Sequence, residues 1–322
     1  MTYTKILGTG KYVPKKVLTN NDLTKFVDTN DEWIYSRTGI KERHIVTNEG
    51  TLDLAYQAAL KAIADANIDK NNIDLIIVAT VTSDFAFPGV ANLLQAKLKI
   101  EGIMAFDINA ACSGFIYAMQ IADKMIKSNS YNNALIIGAE TLSRLTNWRD
   151  RNTCVLFGDG AGAMVIGKSE TNKIKDILTG SKGDEEMLLY YKNPEIKDPK
   201  INAISQQDHI HMKGNDVFKF ATRIMPKTVK TLLKRNKIKV DDLNYVVAHQ
   251  ANSRILQKAA RDLGIDKDKM FININKYGNT SAASVPIAIN EAIENGLIKR
   301  KDLFMTVAFG GGLTWAGALI EY

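Results

Sequence analysis

Only two of the 322 residues are cysteine, Cys112 and Cys154. That number cannot build a disulfide framework, so the core must come from packing alone. Apolar runs are short. None approaches the roughly 20 residues that cross a bilayer, which argues against a membrane protein. Residues 1–8 lack the long apolar stretch of a signal peptide and read as a first strand, so a cytoplasmic setting is expected. Histidines number four. His209 and His211 share one face of an extended segment, but no third ligand has suitable spacing, and no metal site is expected. Zinc spacings and helix-turn-helix signals are absent, and aromatics do not interleave with a basic stripe, which argues against nucleic acid. The charge is not balanced. A net +7 and an isoelectric point near 9.1 suit an acidic partner: an anionic surface, a phosphorylated cofactor or an acidic carrier protein.

The length allows one large domain or two of about 150 residues each. One stretch stands out: Asp107-Ile108-Asn109-Ala110-Ala111-Cys112-Ser113-Gly114-Phe115. An apolar run precedes it and a helical pattern follows. The cysteine therefore sits where a strand turns into a buried helix, flanked by small residues that let substrate approach. A helix N-terminus favours a thiolate and hence a nucleophile. A buried structural cysteine is the alternative, and it is the expectation for Cys154.

Elsewhere, apolar spacing predicts helices over 51–66, 90–98 and 217–234. Leu75-Ile76-Ile77-Val78-Ala79-Thr80 reads as a strand buried on both faces. Residues 157–166 read as a glycine-rich turn feeding a strand, and 169–210 as an irregular connection. Strands alternating with helices imply a layered α/β fold. The chain also echoes itself. Residues 74–80 match 243–249, 104–109 match 270–275, and 161–165 match 316–320, in the same order. Two similar halves are expected: 1–170 with the cysteine, and 171–322 with His249 and Asn279. Equivalent strand ends of packed halves would face one another, so these three side chains could share a site.

His249 ends a buried strand, where α/β folds place ligands. Asn279 lies in the turn Gly278-Asn279-Thr280-Ser281-Ala282-Ala283-Ser284. A thiolate can take an acyl group from a thioester, and imidazole and amide N–H groups can hold an oxyanion or enolate. Papain-like proteases use the same residue types, but with disulfides and an early cysteine. Phe309-Gly310-Gly311-Gly312 could place a backbone N–H near the thioester oxygen. No Lys-Ser or Lys-Thr follows it, as a phosphate loop would require.

These motifs, with Asp31-Glu32-Trp33-Ile34, Arg37-Thr38-Gly39-Ile40, Phe85-Ala86-Phe87-Pro88 and Phe157-Gly158-Asp159-Gly160-Ala161-Gly162, resemble the 3-oxoacyl-[acyl-carrier-protein] synthase III family over nearly the whole chain. The resemblance implies a thiolase-like fold: two pseudo-repeated halves in a five-layer αβαβα sandwich, working as a homodimer. It implies that Cys112 is acylated by acetyl-CoA or another short acyl-CoA. His249 and Asn279 would stabilise the enolate left when malonyl-[acyl-carrier-protein] loses carbon dioxide. Backbone N–H groups of Cys112 and Gly312 would form an oxyanion hole. Trp33 and Arg151 would sandwich the adenine of CoA, with Arg37 and Thr38 nearby. Gly214, Phe218 and Asn252 would line the pantetheine channel. Lys219, Arg254 and Arg261 would meet the carrier protein. Phe87, Leu142, Phe157 and Leu189 would wall the acyl pocket, with Phe87 reaching into a partner's. Coenzyme A would enter as substrate, with no separate cofactor. Thiolases carry a second catalytic cysteine and elongating synthases two histidines; this chain presents Cys, His and Asn. A condensing enzyme of secondary metabolism, a thioesterase and a silent acyl-CoA-binding module are the competing readings. Residues 181–208 carry no signature.

Overall fold

In the computed structural model, which describes residues 2–193, 196–198, 203–204 and 208–322, the apolar run at 75–79 is a strand with every residue buried. A strand covered on both faces needs helices above and below it, and the order of elements supplies them twice. The first sheet contains β1 (Tyr3–Tyr12), β2 (Leu75–Ala79), β3 (Met104–Ile108), β4 (Asn133–Thr141) and β5 (Asp159–Ser169), arranged β1-β5-β4-β2-β3. The second contains β6 (Ile174–Ser181), β7 (Tyr245–Ala248), β8 (Met270–Phe271), β9 (Leu303–Gly310) and β10 (Thr314–Glu321), arranged β6-β10-β9-β7-β8. Strand β2 is parallel to β3 and β4, while β5 is antiparallel to β4 and β1. Strands β7 and β10 repeat those relations in the second sheet. The sheets thus share one topology, and each of the three sequence echoes overlaps corresponding strands.

The helices keep the same rhythm: α1 (Thr51–Ala66), α2 (Val90–Leu98) and α3 (Gly114–Lys127), then α4 (Gly214–Asn236), α5 (Ser253–Leu263) and α6 (Ser284–Glu294). Helices α1 and α2 cover the outer face of the first sheet, and α4 and α5 that of the second. Helices α3 and α6 lie between the sheets, where Phe115, Met119, Val285 and Ile289 join side chains from both. The result is an αβαβα sandwich with its most buried layer in the middle.

Three expectations are corrected. Residues 158–162 are not a turn, since β5 starts at Asp159. Its glycines serve packing: a Cβ on Gly162 would fall 2.6 Å from Cβ of Pro286 on α6. Residues 174–181 are not irregular but form β6. As an edge strand it buries Ile174 and Ile177 while leaving polar residues partly exposed, which weakens the apolar signal. The second echo, at 270–275, outruns its strand, because β8 stops at Phe271. The Gln250 Oε1 accepts the backbone N–H groups of Asn273 (3.0 Å) and Ile274 (3.2 Å) and so anchors the chain as it leaves the sheet. Within 181–208, Leu189–Tyr190 pairs with His211–Met212; residues 194–195, 199–202 and 205–207 lie outside the described residues.

The middle layer tolerates no added volume. A Cβ on Gly138 in β4 would lie 2.2 Å from the carbonyl oxygen of Ala282. Gly138→Ala is expected to cost about 1–3 kcal/mol through overpacking, measured as a lower urea midpoint with unchanged slope.

Candidate active site

Two like turns meet at the centre of the molecule. After β3, Asn109 Oδ1 accepts the N–H of Ala111 (3.2 Å), Ala111 takes a left-handed φ of 46°, and the turn Ala111–Ser113 opens α3. Before α6, Asn279 Oδ1 accepts the N–H of Ser281 (2.9 Å), Ser281 takes φ 48°, and Ser281–Ala283 opens the helix. The two turns pack against each other. Position for position, Asn279 corresponds to Asn109, and Cys112 to Ala282. The halves contribute different residues of one repeated turn.

Asn279 is stapled in place by backbone bonds: its N–H donates to Leu156 O (2.9 Å), and its carbonyl accepts from Gly158 N (3.0 Å). The preceding Gly278 has φ 64°, and a Cβ there would lie 2.9 Å from Leu156 O. Since Oδ1 is engaged with Ser281, Asn279 has its amide N–H groups to offer.

His249 follows β7 directly, and its backbone N–H donates to Val307 O (2.8 Å). The ring is buried and meets Phe309 edge-on, with centroids 5.3 Å apart. Nδ1 lies 2.5 Å from Ser284 Oγ, which also accepts the N–H of Gln250 (3.4 Å). A hydroxyl that accepts from Gln250 has its proton free for Nδ1, which leaves the imidazole proton on Nε2. Burial pushes the His249 pKa down to about 3, so the ring is neutral. It is a hydrogen-bond donor and a poor base.

Cys112, His249 and Asn279 all line one narrow cavity of about 90 Å³. Phe157 and Leu189 wall it, and Gly214, Phe218 and Asn252 also line it. Leu142 does not reach it, because it packs behind Phe157 with Ile210. Phe87 is 86% exposed and lies outside its own chain's cavity. Gly312 is exposed and also absent from the lining; Gly310 and Gly311 occupy that wall. Gly310 packs so tightly that a Cβ on it would sit 2.7 Å from Cys112 N. The glycine run starts at the end of β9, which stops at Gly310, and continues as a turn over Gly311–Leu313 beside the cavity.

The other expected residues divide. The Arg151 guanidinium lies 3.9 Å from the centre of the Trp33 ring, and that of Arg37 5.8 Å. Trp33 and Arg151 stack on each other and leave no slot for a third flat ring, so an adenine between them requires Arg151 to swing out. Thr38 is buried, and its hydroxyl is engaged by Ile34 O (2.7 Å) and Ile40 N (3.0 Å), which turns it from solvent. Asn252 caps α5 and donates to Arg37 O (3.0 Å), tying these segments together. Lys219 is exposed and pairs with Asp216 (3.1 Å); Arg254 lies 5.8 Å from the Phe218 ring; Arg261 is exposed on α5. Cys154 is buried in a small apolar cluster. Among the described residues no group of three His, Cys, Asp or Glu could hold a metal ion.

The thiol itself departs from expectation. Burial pushes the Cys112 pKa up to about 12; the Glu140 carboxylate adds to the rise, while Ser281 and the backbone oppose it. Desolvation outweighs the helix N-terminus, and the resting group is the protonated thiol. Glu140, Ser281 and Ser284 are polar residues of the site that sequence reasoning missed. The one signal for Glu140 is an acid at the end of the apolar strand β4.

The chain can be compared with known proteins on this footing. Residues 106–183 match the model for 3-oxoacyl-[acyl-carrier-protein] synthase III, and residues 233–322 match the model for its C-terminal part. The beta-ketoacyl-[acyl-carrier-protein] synthase III of Aquifex aeolicus (strain VF5) is 50% identical over 322 residues, covering 99% of both chains. That of Clostridium acetobutylicum is 46% identical, covering 100% of this chain and 99% of the other. The crystal structure of the Aquifex aeolicus protein superimposes with a TM-score of 0.93 over 99% of this chain. With the repeated α/β architecture and the Cys, His and Asn gathered on one cavity, this chain belongs to the 3-oxoacyl-[acyl-carrier-protein] synthase III family.

Proposed function

We propose that the chain catalyses the initiating condensation of fatty acid synthesis: acetyl-CoA or another short acyl-CoA plus malonyl-carrier protein gives 3-oxoacyl-carrier protein, CoA and carbon dioxide. Cys112 takes the acyl group from CoA as a thioester. Malonyl-carrier protein then loses carbon dioxide, and the enolate oxygen is held by His249 Nε2–H and the Asn279 amide. The enolate carbon attacks the acyl carbon on Cys112. The observation that carries this reading is the convergence of one thiol and two neutral N–H donors on a single narrow cavity. Backbone N–H groups of Cys112 and Gly312 are the candidates for the thioester oxygen. Coenzyme A serves as substrate, and no further cofactor is needed.

The reading extends to partners. We infer a homodimer in the cytoplasm. In support, β3 is a sheet edge, Met104 on it is 43% exposed, and Phe87, in the segment ahead of α2, is an exposed aromatic. Among the described residues no helix is long and apolar enough to cross a membrane. The carrier protein docks on Lys219, Arg254 and Arg261, since Phe218, which lines the cavity, precedes Lys219 in the chain and has the Arg254 guanidinium 5.8 Å from its ring. Reversing the charge at Lys219 and Arg261 together is expected to raise KM for malonyl-carrier protein about tenfold at low salt, because rim charges act on encounter. Acylation by acetyl-CoA should stay unchanged, and the difference should shrink in high salt.

The test is a two-stage assay. Acetyl-CoA should add one acetyl mass to the intact protein, on Cys112, and malonyl-carrier protein should then discharge it as 3-oxoacyl-carrier protein. Release as acetate would establish a thioesterase, and no label with any acyl-CoA would refute the transacylase.

A further inference from the structure

The two halves close the same turn in different ways. Ala79 pairs with Gly138 in the first sheet as Ala248 pairs with Val307 in the second. Two residues on from those partners, Glu140 is the counterpart of Phe309, and in the turns Ala111 is the counterpart of Ser281. The end of each strand meets the turn of the other half: β9 reaches the Ala111 turn, and β4 the Ser281 turn. Beside Asn109, which is exposed, the meeting is apolar, for a Cβ on Gly310 would lie 3.1 Å from Ala111 Cβ. Beside Asn279, which lines the cavity, an acid meets a hydroxyl: Ser281 Oγ donates to Glu140 Oε1 (3.0 Å).

The carboxyl is itself fixed. Glu140 is wholly buried near the end of β4, and its Oε2 accepts from Thr82 Oγ1 (2.7 Å), Val81 N (3.1 Å) and Thr80 Oγ1 (3.2 Å). Three donors from the segment after β2 thus hold Oε2 and leave Oε1 for the second half. A buried carboxyl is costly. The counterpart positions show that the same architecture closes with phenylalanine and alanine, so packing alone does not call for the acid.

We propose that Glu140 and Ser281 are positioning residues that aim the Asn279 amide at the enolate oxygen. This rests on the reading of Asn279 as an enolate donor. Ser281 takes a left-handed φ of 48°, a costly conformation for a residue with a Cβ. In that conformation its N–H donates to Asn279 Oδ1 (2.9 Å). The bond from its Oγ to Glu140 holds the same residue from the side-chain end, so the turn is tied to β4 on one side and to Asn279 on the other. Ala111 makes the equivalent bond to Asn109 Oδ1 without such a tether, and that bond is longer (3.2 Å). Because Oδ1 of Asn279 accepts from Ser281, the amide nitrogen faces the other way, and the direction of its N–H groups follows from the placement of Ser281.

The experiment measures carbon dioxide release from malonyl-carrier protein without acyl-CoA. It compares wild type, Ser281→Ala, Glu140→Gln, Asn279→Ala and the double variant Ser281→Ala/Asn279→Ala. Ser281→Ala keeps the turn, since Ala111 takes the same backbone conformation at φ 46°. Its kcat should fall about tenfold to a hundredfold, the scale of a misplaced reacting group, with KM within about twofold. Glu140→Gln can turn its carbonyl to Val81 N and donate from its amide to Ser281 Oγ, so it should stay within about fivefold of wild type, a neutral bond being weaker than a charged one. In the Asn279→Ala background, Ser281→Ala should change the rate by less than about twofold, because the group it aims is gone. An unchanged kcat in Ser281→Ala, or a loss that carries undiminished into the Asn279→Ala background, overturns the positioning role alone. So does a folded Glu140→Gln as slow as Ser281→Ala. A lost enolate donor costs about 10²–10³-fold, so Asn279→Ala within about twofold of wild type overturns the donor reading and the positioning role with it.

Discussion

Cys112→Ser is expected to lose acyl transfer and condensation by about 10⁴-fold or more, the scale of removing a nucleophile that acts as part of a unit. Oxygen is the smaller atom, so the cavity stays open and the fold is unstrained. What fails is ionisation. The site has already pushed the thiol to about 12 by burial, and a hydroxyl starts far above any thiol. His249 cannot compensate, because its lone pair on Nδ1 faces Ser284 and burial, lowering its pKa to about 3, makes the ring a poor base. This is the opposite of a serine hydrolase, in which an imidazole base stands over the hydroxyl. Intact mass after incubation with acetyl-CoA checks it: wild type should gain one acetyl group and the variant none. Slow loss of carbon dioxide from malonyl-carrier protein should survive in the variant, since the enolate donors are untouched. A serine enzyme that acetylates at more than a hundredth of the wild-type rate would show that an unrecognised base serves the site.

How much of this was legible beforehand differs residue by residue. Helix α1 was read at its observed bounds because Leu54, Ala58 and Ala62 mark one face at helical spacing and all are buried. The Cys112 turn was legible because small residues crowd a junction between two apolar patterns. Strand β6 was not, since an edge strand shows one buried face in two short apolar positions. Gly312 illustrates a different limit. Three successive glycines carry no side-chain pattern, so spacing alone does not distinguish which of them lines the cavity. Glu140 and Ser284 were out of reach for a further reason. Each matters through a bond across the middle of the molecule, Glu140 to Ser281 and Ser284 to His249. Spacing within one half says nothing of such pairs. The residues expected to sandwich an adenine show the converse, for Trp33 and Arg151 do meet, yet they stack on one another rather than frame a slot.

His249→Ala separates the two half-reactions. The substitution removes the Nε2–H donor and leaves Ser284 Oγ without its ring partner, while Cys112, Ser281 and Glu140 keep their arrangement. Loss of one donor to a developing oxyanion costs about 10²–10³-fold, and that loss should fall on decarboxylation of malonyl-carrier protein. Acetylation of Cys112 by acetyl-CoA should stay within about threefold, because in the proposed mechanism backbone N–H groups serve its oxyanion. The pH dependence tests the charge state of the ring. A histidine lowered to about 3 stays neutral, and its proton stays on Nε2, at every pH from 5 to 9. Wild-type decarboxylation should therefore show no acid limb from His249 near the ordinary imidazole value of about 6.5. Were the imidazolium the working form, the rate would instead fall as pH rises through that value, and His249→Ala would abolish the fall. The donor role thus depends on burial twice over: burial keeps the ring neutral, so no net charge is added to the cavity, and it strengthens the one hydrogen bond that Nε2–H makes to the enolate.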